Sequence, residues 1–106
     1  MTFETEFVPY DHVQGTMKKI IVVQRNDHNS DAATNSRKLS ELRELAHAAR
    51  YVVVDTFVQS RYPDRKYQIG RGKVDELAEL VESLGAEKVI FNNPLSMAQI
   101  NNISEM

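Results

Sequence analysis

Residues Gln59–Leu84 read QSRYPDRKYQIGRGKVDELAELVESL. The stretch opens as a basic loop carrying two tyrosines, narrows to Gly70-Arg71-Gly72-Lys73, and then takes up the period of a helix. Val74, Leu77, Ala78, Val81 and Leu84 fall on one stripe of that helix. Asp75 and Glu76 lie in its predicted first turn, where carboxylates suit the positive end of the dipole, and Gly85 is placed for a left-handed stop. A loop that enters a helix through glycines leaves backbone N–H groups without partners, and anions are drawn to such a place.

The segments on either side of this stretch decide what the helix packs against. Ile20-Ile21-Val22-Val23 is a β-branched run, the pattern of a strand covered on both faces. A polar loop, Asn26–Asn35, follows, and then a helix predicted from about Ser36 to Arg50 with Leu39, Leu42, Leu45, Ala46 and Ala49 on its apolar stripe. Tyr51-Val52-Val53-Val54 is a second buried strand, continuing towards Phe57, and Lys88-Val89-Ile90-Phe91 is a third. Ser96-Met97-Ala98-Gln99 matches the capping box and starts a last helix. The order β-α-β-α-β-α predicts a small three-layer α/β domain with a mainly parallel sheet, because right-handed βαβ crossovers dominate. A sheet of three strands that ends on a helix is expected to be incomplete at its C-terminal end. Residues 18–106 form this domain, and residues 1–17 are expected to be an extended arm, broken by Pro9 and Gly15. Met17, just before the first strand, is an alternative start to Met1.

Composition limits the functions open to such a domain. At 106 residues the chain supports one core, and with no cysteine it excludes disulfides and thiolate metal sites. The mean hydropathy of −0.44 and apolar runs of four or five residues exclude a membrane span, and the first residues lack the pattern of a signal peptide, so a cytoplasmic protein is expected. The net charge of −2 conceals an asymmetry. Arg61, Arg65, Lys66, Arg71 and Lys73 stand against the single acid Asp64 between residues 61 and 73, leaving eight basic and fourteen acidic residues elsewhere. A basic island on an acidic protein points to a local contact with a polyanion.

In an open parallel sheet, ligands gather beyond the carboxyl ends of the strands. The loops leaving the first and second strands should meet there, setting Asn26, Asp27, His28 and Asn29 against Arg61, Tyr62, Arg65, Lys66 and Tyr67. Arginines interleaved with tyrosines offer phosphate contacts and stacking planes together, a combination suited to RNA. The glycine entry itself is not a phosphate loop of the Walker type: position 67 is tyrosine where glycine is required, and Val74 follows Lys73 where serine or threonine is required. The dinucleotide fingerprint fails as well, since position 75 is aspartate. An alternative remains, a small nucleotide (ATP or GTP) with its phosphates at the helix entry formed by Gly70, Arg71, Gly72 and Lys73. Asp27, His28 and Asp31 read as ordinary loop polarity, so no metal site is expected. His47 reads as a partly buried structural histidine. Asp55 has no partner base or nucleophile, and no catalytic residue is assigned.

Taken together, Tyr67-Gln68-Ile69-Gly70-Arg71-Gly72-Lys73-Val74-Asp75-Glu76-Leu77 and Leu95-Ser96-Met97-Ala98-Gln99-Ile100-Asn101-Asn102-Ile103 resemble the N-terminal domain of the HflX family of ribosome-associated GTPases. Arg71 stands where the family pattern has lysine, and Met97 where it has proline; both keep the charge or the helix start. The resemblance covers about residues 18–106. It implies docking on the large ribosomal subunit and its rRNA, and GTP hydrolysis only through a separate G domain, whose Walker and GTP-specificity motifs this chain lacks. No cofactor is expected in this chain, GTP and Mg belonging to that domain. The family domain continues into a further strand, so the resemblance also implies a truncated sheet; a purely structural role, in which the missing strand leaves an edge that pairs with another copy in a homodimer, is a third possibility.

Overall fold

The computed structural model describes residues 3–4 and 17–105, with Phe3–Glu4 given by their backbone alone; the rest of the expected arm lies outside the described residues. The elements are β1 (Phe3–Glu4), β2 (Lys18–Asn26), α1 (Ala32–Ala48), β3 (Tyr51–Ser60), α2 (Arg71–Leu84), β4 (Lys88–Phe91) and α3 (Met97–Ser104). All strand pairs are parallel, in the order β1-β4-β2-β3. The expected alternation of strands and helices is present, with the two-residue β1 added on the outer side of β4.

The β-branched run reads as it does because β2 is central. Ile20 and Val22 pack under α1 with Leu42, Ala46, Ala49, Tyr51 and Ile90. Ile21 and Val23 face the other way, into a core with Val74 and Leu77 of α2, Val89 and Phe91 of β4, and Ile103 of α3. A strand buried on both faces cannot alternate polar with apolar, so it is apolar throughout.

Strand β3 departs from its expected place. It is an edge strand, with Val52 40% and Val58 46% exposed, although its valine run resembles that of β2. The register explains the run: Ile20 pairs with Val53 and Ile21 with Asp55, leaving Val54 as an extra residue in the ladder. With a period of two, Phe57 would share the face of Tyr51 and Val53. The bulge shifts it to the opposite face, where Val54 and Phe57 pack on the α2 core while Tyr51 and Val53 pack beneath α1. The outer side of β4, where a missing strand was expected to leave the sheet open, pairs with the two-residue β1, and β3 forms the opposite edge.

Helix α1 begins at Ala32, four residues before its predicted start. Asp31 is its N-cap, its carboxylate accepting from the Thr34 N–H at 3.2 Å and the Thr34 hydroxyl at 2.9 Å. These bonds, the hydroxyl first, hold the Asp31 carboxyl below its ordinary range. Leu45 lies off the core at 49% exposure, and His47 is exposed rather than partly buried. Gly85 ends α2 at φ +66°. Its N–H donates to Glu82 O and the Ala86 N–H donates to Val81 O. The capping box of α3 is complete, Ser96 Oγ accepting from Gln99 N and Gln99 Oε1 from Ser96 N.

Two outcomes are expected in solution. In denaturant titrations, Leu42→Ala should cost about 2–5 kcal/mol and Leu45→Ala about 0.5 kcal/mol, although both lie on the apolar stripe of the sequence. Because its pKa is lower folded than unfolded, Asp31 adds stability that is present above the unfolded carboxyl pKa and is lost as pH falls through the folded one. Stability–pH profiles of the wild type and Asp31→Ala should therefore converge in acid and separate towards neutrality.

Candidate nucleic-acid interface

Residues 61–70 join the edge strand β3 to α2, and their shape is set by side chains from elsewhere. Asp64 folds the first part into a turn, its Oδ1 accepting from the N–H groups of Lys66 and Tyr67 at 2.8 and 2.9 Å. Asp64 and Gln68 then exchange backbone hydrogen bonds as an isolated antiparallel bridge. Gln68 has φ +65°, and the Ile69 N–H donates to Tyr67 O at 2.7 Å across it. This is a three-residue turn in the conformation that side chains with a Cβ avoid.

Gln68 is buried and keeps that conformation because both ends of its amide are held. Its Oε1 accepts from Arg25 Nε at 2.7 Å, and its Nε2 donates to Pro94 O at 2.9 Å. The Arg25 guanidinium, 10% exposed, also donates from Nη1 to Arg61 O at 2.8 Å and to Asp27 Oδ1 at 2.9 Å. One cation thus fastens the ends of the β2–α1 and β3–α2 loops. Helix α3 fastens the middle: Gln99 Nε2 donates to Asp64 O and Asn102 Nδ2 to Lys66 O.

The crevice between the carboxyl ends of β2 and β4, the switch point at which open α/β sheets commonly hold ligands, is filled by the protein's own amides. Asn93 Oδ1 accepts from Arg25 N at 2.7 Å and its Nδ2 donates to Arg25 O at 2.9 Å, so a side chain continues the β2–β4 ladder past Phe91. Asn92 Nδ2 donates to Gln24 Oε1 at 2.6 Å, and Gln24 Nε2 donates to Asn26 Oδ1 and Asn35 O. Of these amides, Asn26 figures in the sequence reading, and Gln24, Asn92 and Asn93 do not. The one sign of them is the pair Asn92-Asn93 directly after a buried strand, level with Gln24 and Arg25 at the end of the neighbouring one.

The expected site residues divide into those that build the rim and those it presents. Gly70 is buried, its N–H donating to Gln59 Oε1, and a Cβ there would lie 2.5 Å from an Arg61 nitrogen. Arg61 is turned back, its Nε donating to Tyr62 O at 2.9 Å. Tyr67 is half-buried against the core, with the Arg71 guanidinium 5.6 Å above its ring. Asn26 accepts from Arg61 N and Asp27 from Arg25, so both belong to the fastening. Outward lie Asn29, Tyr62, Arg65, Lys66, Arg71 and Gly72, with His28 stacked on Tyr62 at 5.5 Å. Lys73 is half-buried, 3.2 Å from Glu76 and over the Phe57 ring. Among the described residues no carboxylate reaches Arg61, Arg65, Lys66 or Arg71 at ion-pair distance.

Helix α2 begins at Arg71, since Gly70 is extended and accepts the Val74 N–H. Its first turn therefore holds Arg71, Gly72 and Lys73 and no acid, and Asp75 and Glu76 fall beyond it. Cations at the positive end of a helix are unfavourable by about 0.3–1 kcal/mol each. No side chain caps these N–H groups, and the missing Cβ of Gly72 faces open space.

A shallow cleft of about 320 Å³ adjoins the rim, lined by Gln24, Asn26, Asp27, His28, Asn35 and Ser60 among others. A larger one, about 850 Å³, lies along β3 between Met17, Arg43, His47 and Asp55 and includes none of the basic loop. No cluster of three His, Asp or Glu forms among the described residues, and no described helix is long and apolar enough to cross a membrane.

These features define a doubly wound α/β domain that presents a pinned cationic loop on its rim. The family described as GTP-binding GTPase N-terminal matches residues 36–106, and the chain belongs to it, as an N-terminal domain of the HflX type. It is 47% identical over 87 residues to the GTPase HflX of Thermofilum pendens, covering 81% of this chain and 20% of that protein. Against the GTPase HflX of Methanocaldococcus jannaschii it is 39% identical, covering 71% of this chain and 18% of that protein. Against that of Escherichia coli it is 36% identical, covering 64% and 16%. The chain spans about a fifth of the length of the relatives it matches.

The turn at Gln68 has a measurable signature. Gln68→Ala and Gln68→Gly lose the same two side-chain bonds, but glycine accepts the positive φ. Calorimetric unfolding should find the glycine variant more stable than the alanine variant by about 1 kcal/mol.

Proposed function

We propose that this domain docks an HflX-type GTPase on the large ribosomal subunit, through rRNA phosphates taken up by the loop and by the first turn of α2. One observation carries this reading: Arg65 and Lys66 on a fastened loop, and Arg71 at the start of α2, lie outward with no carboxylate of the described residues to neutralise them. A loop that only needed solubility would not require Arg25, Gln68, Gln99 and Asn102 to fix its shape. The cationic first turn supports the same reading, because a phosphate there would reverse the unfavourable interaction with the helix dipole. The domain takes no part in hydrolysis under this proposal; GTP and its metal would be handled by another part of such a GTPase.

Binding of purified large subunits should weaken as salt rises, linearly on logarithmic axes. Replacing Arg65, Lys66 and Arg71 together by alanine should lower the magnitude of that slope by about two, taking the single-strand coefficient, and reduce affinity at every salt concentration. Equal binding by the triple variant would overturn the reading. Titration calorimetry with ATP and GTP tests the nucleotide alternative at the same helix entry: heat at micromolar ligand, abolished in Gly72→Asp, would favour a mononucleotide over RNA.

A further inference from the structure

We propose that His28 and Tyr62 form a stacking subsite for an unpaired nucleobase, so that the RNA met by this loop is single-stranded at the point of contact. The inference rests on the RNA-docking reading above and narrows it to a class of ligand.

Tyr62 is 71% exposed, the most exposed phenylalanine or tyrosine among the described residues. Its ring lies 5.5 Å from the His28 ring with 23° between their planes. The two come from different loops, and the backbone beside each is fastened. The Arg61 N–H donates to Asn26 O at 3.1 Å, and Arg25 holds Arg61 O and Asp27 Oδ1. A ring pair built across two anchored loops is preorganised, so little ordering remains to be done when a third ring joins the stack. Tyr67 cannot serve in the same way, being packed on the core and covered by Arg71.

The position of the pair selects the ligand. Arg65 and Lys66 follow Tyr62 by three and four residues on the same loop, so a base on the ring pair would bring its phosphates towards them. Stacking tolerates any base, since each has a π face, but it needs that face to be free. In an A-form duplex the faces are taken up by neighbouring pairs and the recognisable features are shape, 2′-hydroxyls and phosphates. A duplex would meet the cations of this loop and leave the ring pair unused.

The test is fluorescence anisotropy with a labelled oligoadenylate and a labelled, fully paired RNA hairpin, alongside pelleting with large subunits. Tyr62→Ala should weaken the single strand roughly tenfold and leave the hairpin unchanged. Tyr62→Phe, which keeps the ring, should bind as the wild type, and the Arg65→Ala/Lys66→Ala pair should weaken both RNAs. Circular dichroism melting confirms the fold of each variant. Equal binding of the single strand by Tyr62→Ala and wild type overturns the proposal. Wild type that pellets with subunits but binds no single strand also overturns it, while leaving the docking reading intact. Wild type that binds neither RNA nor subunits removes both.

Discussion

The guanidinium of Arg25 reaches Gln68, Arg61 and Asp27 from the end of the central strand, and the rim is arranged around it. A charged donor so nearly enclosed must spend its N–H groups on acceptors, and the acceptors available are the loops that leave β2 and β3. Satisfying the arginine therefore fixes the loops. Gln68 answers with an unfavourable backbone conformation, tolerated because its amide is gripped at both ends. Asn93 completes the arrangement from the opposite side by occupying the backbone of Arg25 itself.

The result separates two tasks. Neutral amides (Gln24, Gln59, Gln68, Asn92, Asn93, Gln99) close the rim around Arg25, while Arg65, Lys66 and Arg71 stand outside it. A parallel sheet of this kind ordinarily offers the crevice at its switch point to a ligand. Here that crevice is filled, and the surface proposed for recognition is the loop beside it. The first turn of α2 fits the same division: two cations sit where the helix dipole disfavours them, a local inconsistency of the kind proteins keep at functional sites.

Much of this was legible in the residues. The β-branched runs located the three long strands, the spacing of Val74, Leu77 and Val81 located α2, and Ser96 with Gln99 announced α3 to the residue. These signals are local and need no knowledge of neighbours. The basic character of residues 61–73 and the meeting of their loop with His28 also followed from charge and topology. What could not be read depends on contacts between distant residues. Asp31 caps α1 through Thr34, but the same aspartate in a loop looks like loop polarity. Val52–Val54 looks like a core strand because a bulge lets neighbouring valines serve opposite faces. Leu45 continues the stripe of Leu42, Ala46 and Ala49 yet lies outside the core they join. The amide network was hidden because glutamine and asparagine carry no periodicity and no charge, and their partners lie up to 68 residues away.

That separation in sequence bears on when the domain becomes complete during its own synthesis. The loop at 61–70 leaves the ribosome before the residues that shape it: Pro94 lies 26 residues beyond Gln68, and Gln99 lies 35 beyond Asp64. A nascent chain ending short of α3 can pair β2 with β3, yet its cationic loop lacks the bonds from Gln99 and Asn102. Closure by residues far apart in the chain is entropically late, so the recognition surface should be the last part to set. On the docking proposal, a newborn copy would gain its full grip on the machine that is making it only once its own fold is closed.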